Sequence, residues 1–256
     1  MRILVCVKQV PDTTEVRLRE DYTLERDFIA QVMNPADESA LEWALQTREK
    51  LGGETTVLSM GPERAETTLR EAIARGADYA ALLTDRRFAG ADTLITARCL
   101  AAAAKRLGGF DMIVCGRRAV DGETGQVGPM LAALLNIPCV PNVTVAQAGE
   151  KLIADQLTEA GVNRWASGYP ALLTFCEWSY RLRLPTLSGL RRARQAEIMR
   201  LTPDELGLSA EECGIKASPT RVVRVEARPV GVRPCKWMDA EGVMTALMER
   251  CPEAMP

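Results

Sequence analysis

Over its first 137 residues the chain repeats one unit: a short apolar, β-branched run followed by a helical pattern of 12–18 residues. "RILVCVKQV", "TTVLSM", "YAALLT" and "FDMIVCG" are the apolar runs, and each reads as a buried strand. The first helix is expected from Asn34 as N-cap, with Pro35 at its first position and acids in its first turn, to the pair Gly52-Gly53. Others are expected from Gly61-Pro62 to "ARGA", over "GADTLITARCLAAAAKRLGG", and over "TGQVGPMLAALLN". Strands alternating with helices require right-handed crossovers, so the pattern predicts a doubly wound α/β fold with a largely parallel sheet. "VRL" and "TLER" (16–26) suggest a small hairpin. After residue 137 short strands with turns are expected, then one more strand in "YPALLTFCEW". From about residue 191 the chain is charged, proline-punctuated and weakly periodic, which reads as an arm packed on a partner. The expected division is an α/β domain over 1–190 and a C-terminal arm over 191–256.

Composition removes several kinds of chemistry. The chain has no histidine, so neither Ser-His-Asp nor Cys-His machinery nor a histidine-ligated metal can be built within it. Its eight cysteines include no CxxC pair, which disfavours zinc ribbons, iron–sulfur ligation and dithiol redox chemistry. A net charge of −2 argues against non-specific nucleic-acid binding. No run approaches the ~18 apolar residues of a membrane span. "MRILVCVKQV" reads as a strand and not as a signal peptide, so the expected location is the cytoplasm. Any redox or transfer chemistry would have to come from a bound cofactor.

Candidate ligand contacts lie where strands end. "CGRRAVDGETGQVGP" (115–129) follows a strand and opens a helix, and in a doubly wound sheet that edge holds ligands. Gly122, Gly125 and Gly128 let backbone amides approach a ligand, and a helix N-terminus favours an anion. Asp121 and Glu123 would repel a bare phosphate. A ligand with both phosphate and hydroxyl groups reconciles these: amides and Arg117 for phosphate, carboxylates for capping or ribose. The plain alternative is a surface turn capped by Asp121 or Thr124; the segment is neither a Walker A loop nor a GxGxxG fingerprint. "VKQVPDT" and "MNP" can border the same crevice, with Lys8 at a phosphate and Asn34 at a base or ribose, or as a solvated lysine and a helix cap. "SMGP" is a third such loop. The arginine-rich "RLRLPTLSGLRRARQ" (181–195) has no interleaved aromatics, which counts against single-stranded nucleic acid. Its Leu187, between Pro185 and Gly189, could anchor a protein partner.

The ordered segments "VKQVPDT", "MNPADESALEWAL", "SMGP", "RGADYAALLTDRRFAGADTL", "AVDGETGQVGP", "YPALLT" and "LPTLSGLRRA" resemble the beta subunit of electron-transferring flavoproteins over roughly residues 1–230. The resemblance implies a fold of adenine-nucleotide-binding type and a larger alpha subunit that holds the electron-transferring FAD. Two branches are implied. In one, the beta subunit binds a structural AMP, and the heterodimer carries electrons from acyl-CoA dehydrogenases, or another dehydrogenase, toward the quinone pool. In the FixA-like, electron-bifurcating branch, a second FAD takes the AMP position, and NADH reduces it. One electron then goes through the alpha-subunit FAD to a high-potential acceptor, the other to ferredoxin or flavodoxin. "KQVPDT", "DRRFAGADTL", "DGETGQVGP" and "IKASPTRV" resemble the bifurcating form. Carried over by position, the nucleotide contacts are Cys6, Lys8, Asn34, Pro35, Ala36, Asp37, Met60, Gly116, Arg117, Ala119, Asp121, Gly122, Glu123, Thr124, Gly125, Gln126 and Val127. The family's partner-recognition loop falls on 181–193, with Leu187 at its anchor. Arg117-Arg118 is more basic than the family's usual turn, and "LTEAGVNRWASGYPALLT" departs from its usual acid-glycine-glycine form. A competing class is a nucleotide-sensing α/β module without a redox role.

Overall fold

The computed structural model describes residues 1–12, 30–223 and 237–250. Residues 1–223 form one compact unit and residues 224–256 a second. The chain opens with β1 (Arg2–Cys6), β2 (Gln9–Pro11), β3 (Gln31–Met33), α1 (Pro35–Leu51), β4 (Glu54–Met60), α2 (Glu66–Arg75) and β5 (Tyr79–Leu83). It continues through α3 (Thr93–Arg106), β6 (Met112–Gly116), α4 (Val127–Leu135), β7 (Cys139–Gln147), β8 (Leu152–Thr158), β9 (Gly161–Ser167) and β10 (Ala171–Phe175). Then come α5 (Leu187–Gln195), β11 (Met199–Leu201) and α6 (Gly214–Ala217); the second unit contains α7 (Ala240–Arg250).

Nine strands form one sheet in the order β11-β5-β4-β1-β6-β10-β7-β8-β9. All pairings from β11 to β7 are parallel, and β8 and β9 extend the sheet antiparallel. From β1 the chain winds outward through β4 to β5, then returns to β6 on the other side of β1. The gap between β1 and β6 is therefore the topological switch point, and it sets where a crevice opens at the carboxyl ends. The short strands expected after residue 137 are this antiparallel continuation. Residues 191–201, within the expected arm, belong to α5 and β11, and β11 lies in register with β5. The hairpin expected over 16–26 lies outside the described residues; on either side of 13–29, β2 pairs antiparallel with β3.

Strand alternation divides the core in two. Ile3, Val5, Val57, Leu82 and Val114 face α1 and α2, meeting Leu41, Leu45, Leu69 and Ile73. Leu4, Leu58, Leu83 and Ile113 face α3 and α4, meeting Ile95, Leu100 and Leu131. A sheet covered on both faces needs strands without polar alternation, and these four central strands supply them. Local signals set the helix ends. Asp92 accepts from the Ile95 amide at 3.0 Å, and Asn136 closes α4 in the left-handed conformation at φ 54°. Among the described residues no helix is long and apolar enough to cross a membrane.

Close approach explains one glycine outside the crevice. A Cβ on Gly189 in α5 would lie 2.0 Å from the Ala74 carbonyl oxygen at the end of α2. Gly189→Ala should therefore lower stability by about 1–3 kcal/mol, read as a drop in the urea unfolding midpoint.

Candidate functional site

The switch point gathers most of the residues singled out in the sequence. Cys6 pairs in register with Cys115 across β1 and β6, and Gly116 and Lys8 follow this pair by one and two residues. The N-terminus of α1 sits over both. Asp37 accepts the Lys8 backbone amide at 2.7 Å and the Gly116 amide at 2.8 Å, one on each carboxylate oxygen. The strands diverge here, and a two-headed acceptor on the neighbouring helix satisfies amides that no ladder can. Gly116 is glycine for this packing: a Cβ would meet Asp37 Oδ1 at 2.4 Å and the Ala36 Cβ at 2.6 Å.

Asn34 does not use its side chain as a helix cap; its backbone carbonyl accepts the Asp37 and Glu38 amides. The buried side chain instead spans to the facing loop, donating to the Arg118 carbonyl at 2.9 Å and accepting the Val120 amide at 3.1 Å. Pro35 and Ala36 fill the first turn of α1, and Met60 ends β4 beside β1. The Lys8 ammonium contacts both Asp121 oxygens at 2.6–2.7 Å. Arg118 lies 3.7 Å from Glu123. The two acids that seemed to oppose a phosphate are thus faced by cations of the same crevice, although such exposed pairs are individually weak.

Sequence reasoning missed Glu177, which follows β10. Its carboxylate, only 8% exposed, binds Arg117 at 2.7 Å and Arg118 at 3.0 Å. Burial pushes its pKa up, but its own backbone amide and the two arginines outweigh that and leave it below the ordinary glutamate range. The signal was the adjacency of β10 and β6, which no local pattern reveals. Arg117 keeps a buried Nε with no partner among the described residues.

From 119 to 128 the loop turns into α4. Glu123 and Gly125 take left-handed backbone at φ 51° and 64°. The Ala119 carbonyl accepts the amides of Gly122 and Glu123. The amides of Thr124, Gly125, Gln126, Val127 and Gly128 have no acceptor among the described residues. Those of Val127 and Gly128 are the unpaired donors of a helix start, where an anion is favoured. Gln126 Oε1 meets Thr93 Oγ1 at 2.9 Å, which joins the N-termini of α3 and α4. A Cβ on Gly122 would meet nothing within 4 Å, so that glycine is open space as far as the fold is concerned.

Leu187 is not part of this cluster. It opens α5 at the far end of α2, where Arg192 reaches the Ile73 and Ala77 carbonyls near the amino end of β5. Its side chain is 81% exposed.

The titratable groups of the crevice are held, not free to act. Burial raises the Cys6 thiol to about 12, with the Asp37 carboxylate adding to it, and Cys115 is raised well above the ordinary thiol range. Neither is a thiolate nucleophile at neutral pH. Burial also raises Asp37 from 3.8 to about 7, against the lowering effect of the Lys8 and Gly116 amides. Among the described residues, no group of three or more cysteine and carboxylate side chains is placed to hold a metal. Both thiols therefore stay protonated at neutral pH, and the unpaired amides and arginines make the loop rich in hydrogen-bond donors.

The fold and crevice define a doubly wound α/β protein of the class that takes ligands at the switch point. An electron transfer flavoprotein domain matches residues 21–206. The electron transfer flavoprotein subunit beta of Thermoanaerobacterium thermosaccharolyticum is 46% identical over 226 residues, covering 87% of this chain and 86% of the relative. Protein FixA of Bradyrhizobium diazoefficiens is 39% identical, covering 90% and 83%. A caffeyl-CoA reductase-Etf complex subunit, CarD, of Acetobacterium woodii is 40% identical, covering 90% and 88%. The chain belongs to the electron transfer flavoprotein family, among its beta subunits and FixA proteins, and its role is electron transfer.

Asp37 gives the site a pH signature. The folded chain holds this proton to about pH 7, whereas the unfolded chain releases it near 3.8, so its contribution favours folding in acid and is withdrawn as pH rises between those values. Asp37→Asn should remove that slope, and should leave one of two buried amides facing a donor, at a cost of about 1–3 kcal/mol. Urea unfolding of both proteins across the window checks this.

Proposed function

We propose that this chain is the beta subunit of an electron-bifurcating heterodimer in the cytoplasm, and that its crevice binds FAD. The observation that carries the reading is the run of unpaired amides from 124 to 128 beside the open face of Gly122. A pyrophosphate presents more anionic oxygens than a monophosphate, and a run of five unpaired amides close to Arg117 suits it. Two exposed ion pairs, Lys8–Asp121 and Arg118–Glu123, line the same loop and can re-form around ribose hydroxyls. The bound FAD supplies hydride acceptance from NADH and one-electron transfer. The chain's own residues bind and orient: Asp37 and Asn34 fix the loop, Glu177 fixes the two arginines, and the buried Cys6 and Cys115 wall the floor without ionising.

In this reading an alpha subunit with its FAD and a high-potential acceptor, and ferredoxin or flavodoxin, would be the partners that receive the electrons. Leu187 docks a dehydrogenase. The Acetobacterium woodii relative is a subunit of a caffeyl-CoA reductase-Etf complex, which supports assembly with further subunits. Residues 224–236 and 251–256 of the expected arm lie outside the described residues; α7 packs on the alpha subunit through its exposed Val243, Met244, Leu247 and Met248.

Anaerobic titration of the heterodimer with NADH tests the reading: flavin absorbance is expected to bleach, and ferredoxin to be reduced only when a high-potential acceptor is present. Flavin that stays oxidised with NADH would favour the single-FAD carrier with structural AMP.

The fold also separates binding from stability. Gly125 occupies left-handed backbone, so any substitution there is strained, whereas Gly122 is unobstructed. Gly122→Val is expected to lower nucleotide content at least tenfold while the nucleotide-free proteins keep the same thermal midpoint; unaltered content would remove this loop from the site.

A further inference from the structure

Between β10 and α5 the chain has no regular structure, yet it is fixed along its length. Residues 177–186 run back over α1 from the crevice toward the opposite end of the sheet. At the crevice Glu177 holds Arg117 and Arg118. One turn along α1 the Ser39 hydroxyl meets the Tyr180 backbone, donating to its carbonyl at 3.3 Å, while the Tyr180 ring stands edge-on to Phe175 at 5.6 Å. Next, Glu42, 4% exposed, accepts the Arg183 backbone amide at 3.0 Å and takes the Arg183 guanidinium at 2.9–3.0 Å. Glu49, two turns further on, pairs with the same guanidinium. From the other side Arg75 of α2 donates to the Arg183 carbonyl at 3.1 Å. Immediately beyond stand Leu184 and Leu187, 84% and 81% exposed.

We propose that Glu42 is the positioning residue of the docking loop: through Arg183 it holds Leu184 and Leu187 in place before a partner arrives. This rests on the reading of Leu187 as the contact with a dehydrogenase. The physical argument is that two large exposed leucines on an irregular segment would otherwise be ordered only at encounter, and that ordering weakens binding. A buried carboxylate grips the strap through main chain and side chain together, so neither Arg183 nor its neighbours can move alone. Glu42 touches no part of the crevice, and its effect falls on docking, not on the cofactor.

The test uses the reconstituted heterodimer with NADH as electron donor and a purified acyl-CoA dehydrogenase as the high-potential electron acceptor. Glu42→Gln keeps the shape but removes the charge that matches the guanidinium. The KM for the dehydrogenase is expected to rise about tenfold with kcat and cofactor stoichiometry unchanged, and the amides of 182–190 to exchange hydrogen faster. An unchanged KM despite faster exchange would overturn the proposal, as would loss of cofactor. Leu187→Ala separates the two readings: if it raises KM while Glu42→Gln does not, only the positioning role fails; if it leaves KM unchanged, the docking surface itself is wrong. Should Glu42→Gln fail to fold, Glu42→Gln with Arg183→Gln leaves no buried charge unpaired and carries the same measurement.

Discussion

The bridge from Asp37 to the amides of Lys8 and Gly116 occupies the one place in the sheet where neighbouring strands must part. The register between the parallel strands β1 and β6 ends at Cys6 and Cys115; beyond it Val7 still bonds the Leu58 carbonyl and Gly116 still pairs with Phe175 of β10, and it is the amides of Lys8 and Gly116 that need another acceptor. A carboxylate with two oxygens, carried on a helix whose N-terminus tolerates negative charge, closes that gap. Its burial is costly enough to shift its own titration, and the crevice walls depend on it. Asn34, three residues earlier, extends the same function to the loop after β6, so the first turn of α1 organises both sides of the crevice.

The same helix connects two candidate sites at opposite ends of the sheet. Its N-terminus shapes the candidate nucleotide site, and Ser39, Glu42 and Glu49 further along hold the strap that leads to the exposed leucines. Glu177 at the start of the strap fixes two arginines of the crevice, so one short segment touches both. Electron transfer of this kind asks for placement and not for acid–base turnover, which is what a histidine-free chain with protonated, buried thiols can give.

Much of this was legible in the sequence. Local periodicity and caps located β1, α1, β4, α2, β5, α3, β6 and α4, because buried parallel strands and capped helices carry their own signals. The loops that gather at the switch point could be named for the same reason, since they are where strands end. What the residues alone could not show were partners across the fold. Lys8 faces Asp121, Asn34 bridges to Arg118 and Val120 where a helix cap was expected, and Gly116 is small because Asp37 and Ala36 press on it. Glu177 was passed over entirely, and β11 lay hidden in what read as an arm, because both depend on which strands become neighbours.

The central claim, that the switch-point crevice holds FAD, is tested most directly by releasing and quantifying the nucleotides of the purified heterodimer. Two FAD per dimer is the expected result. One FAD and one AMP per dimer would contradict it.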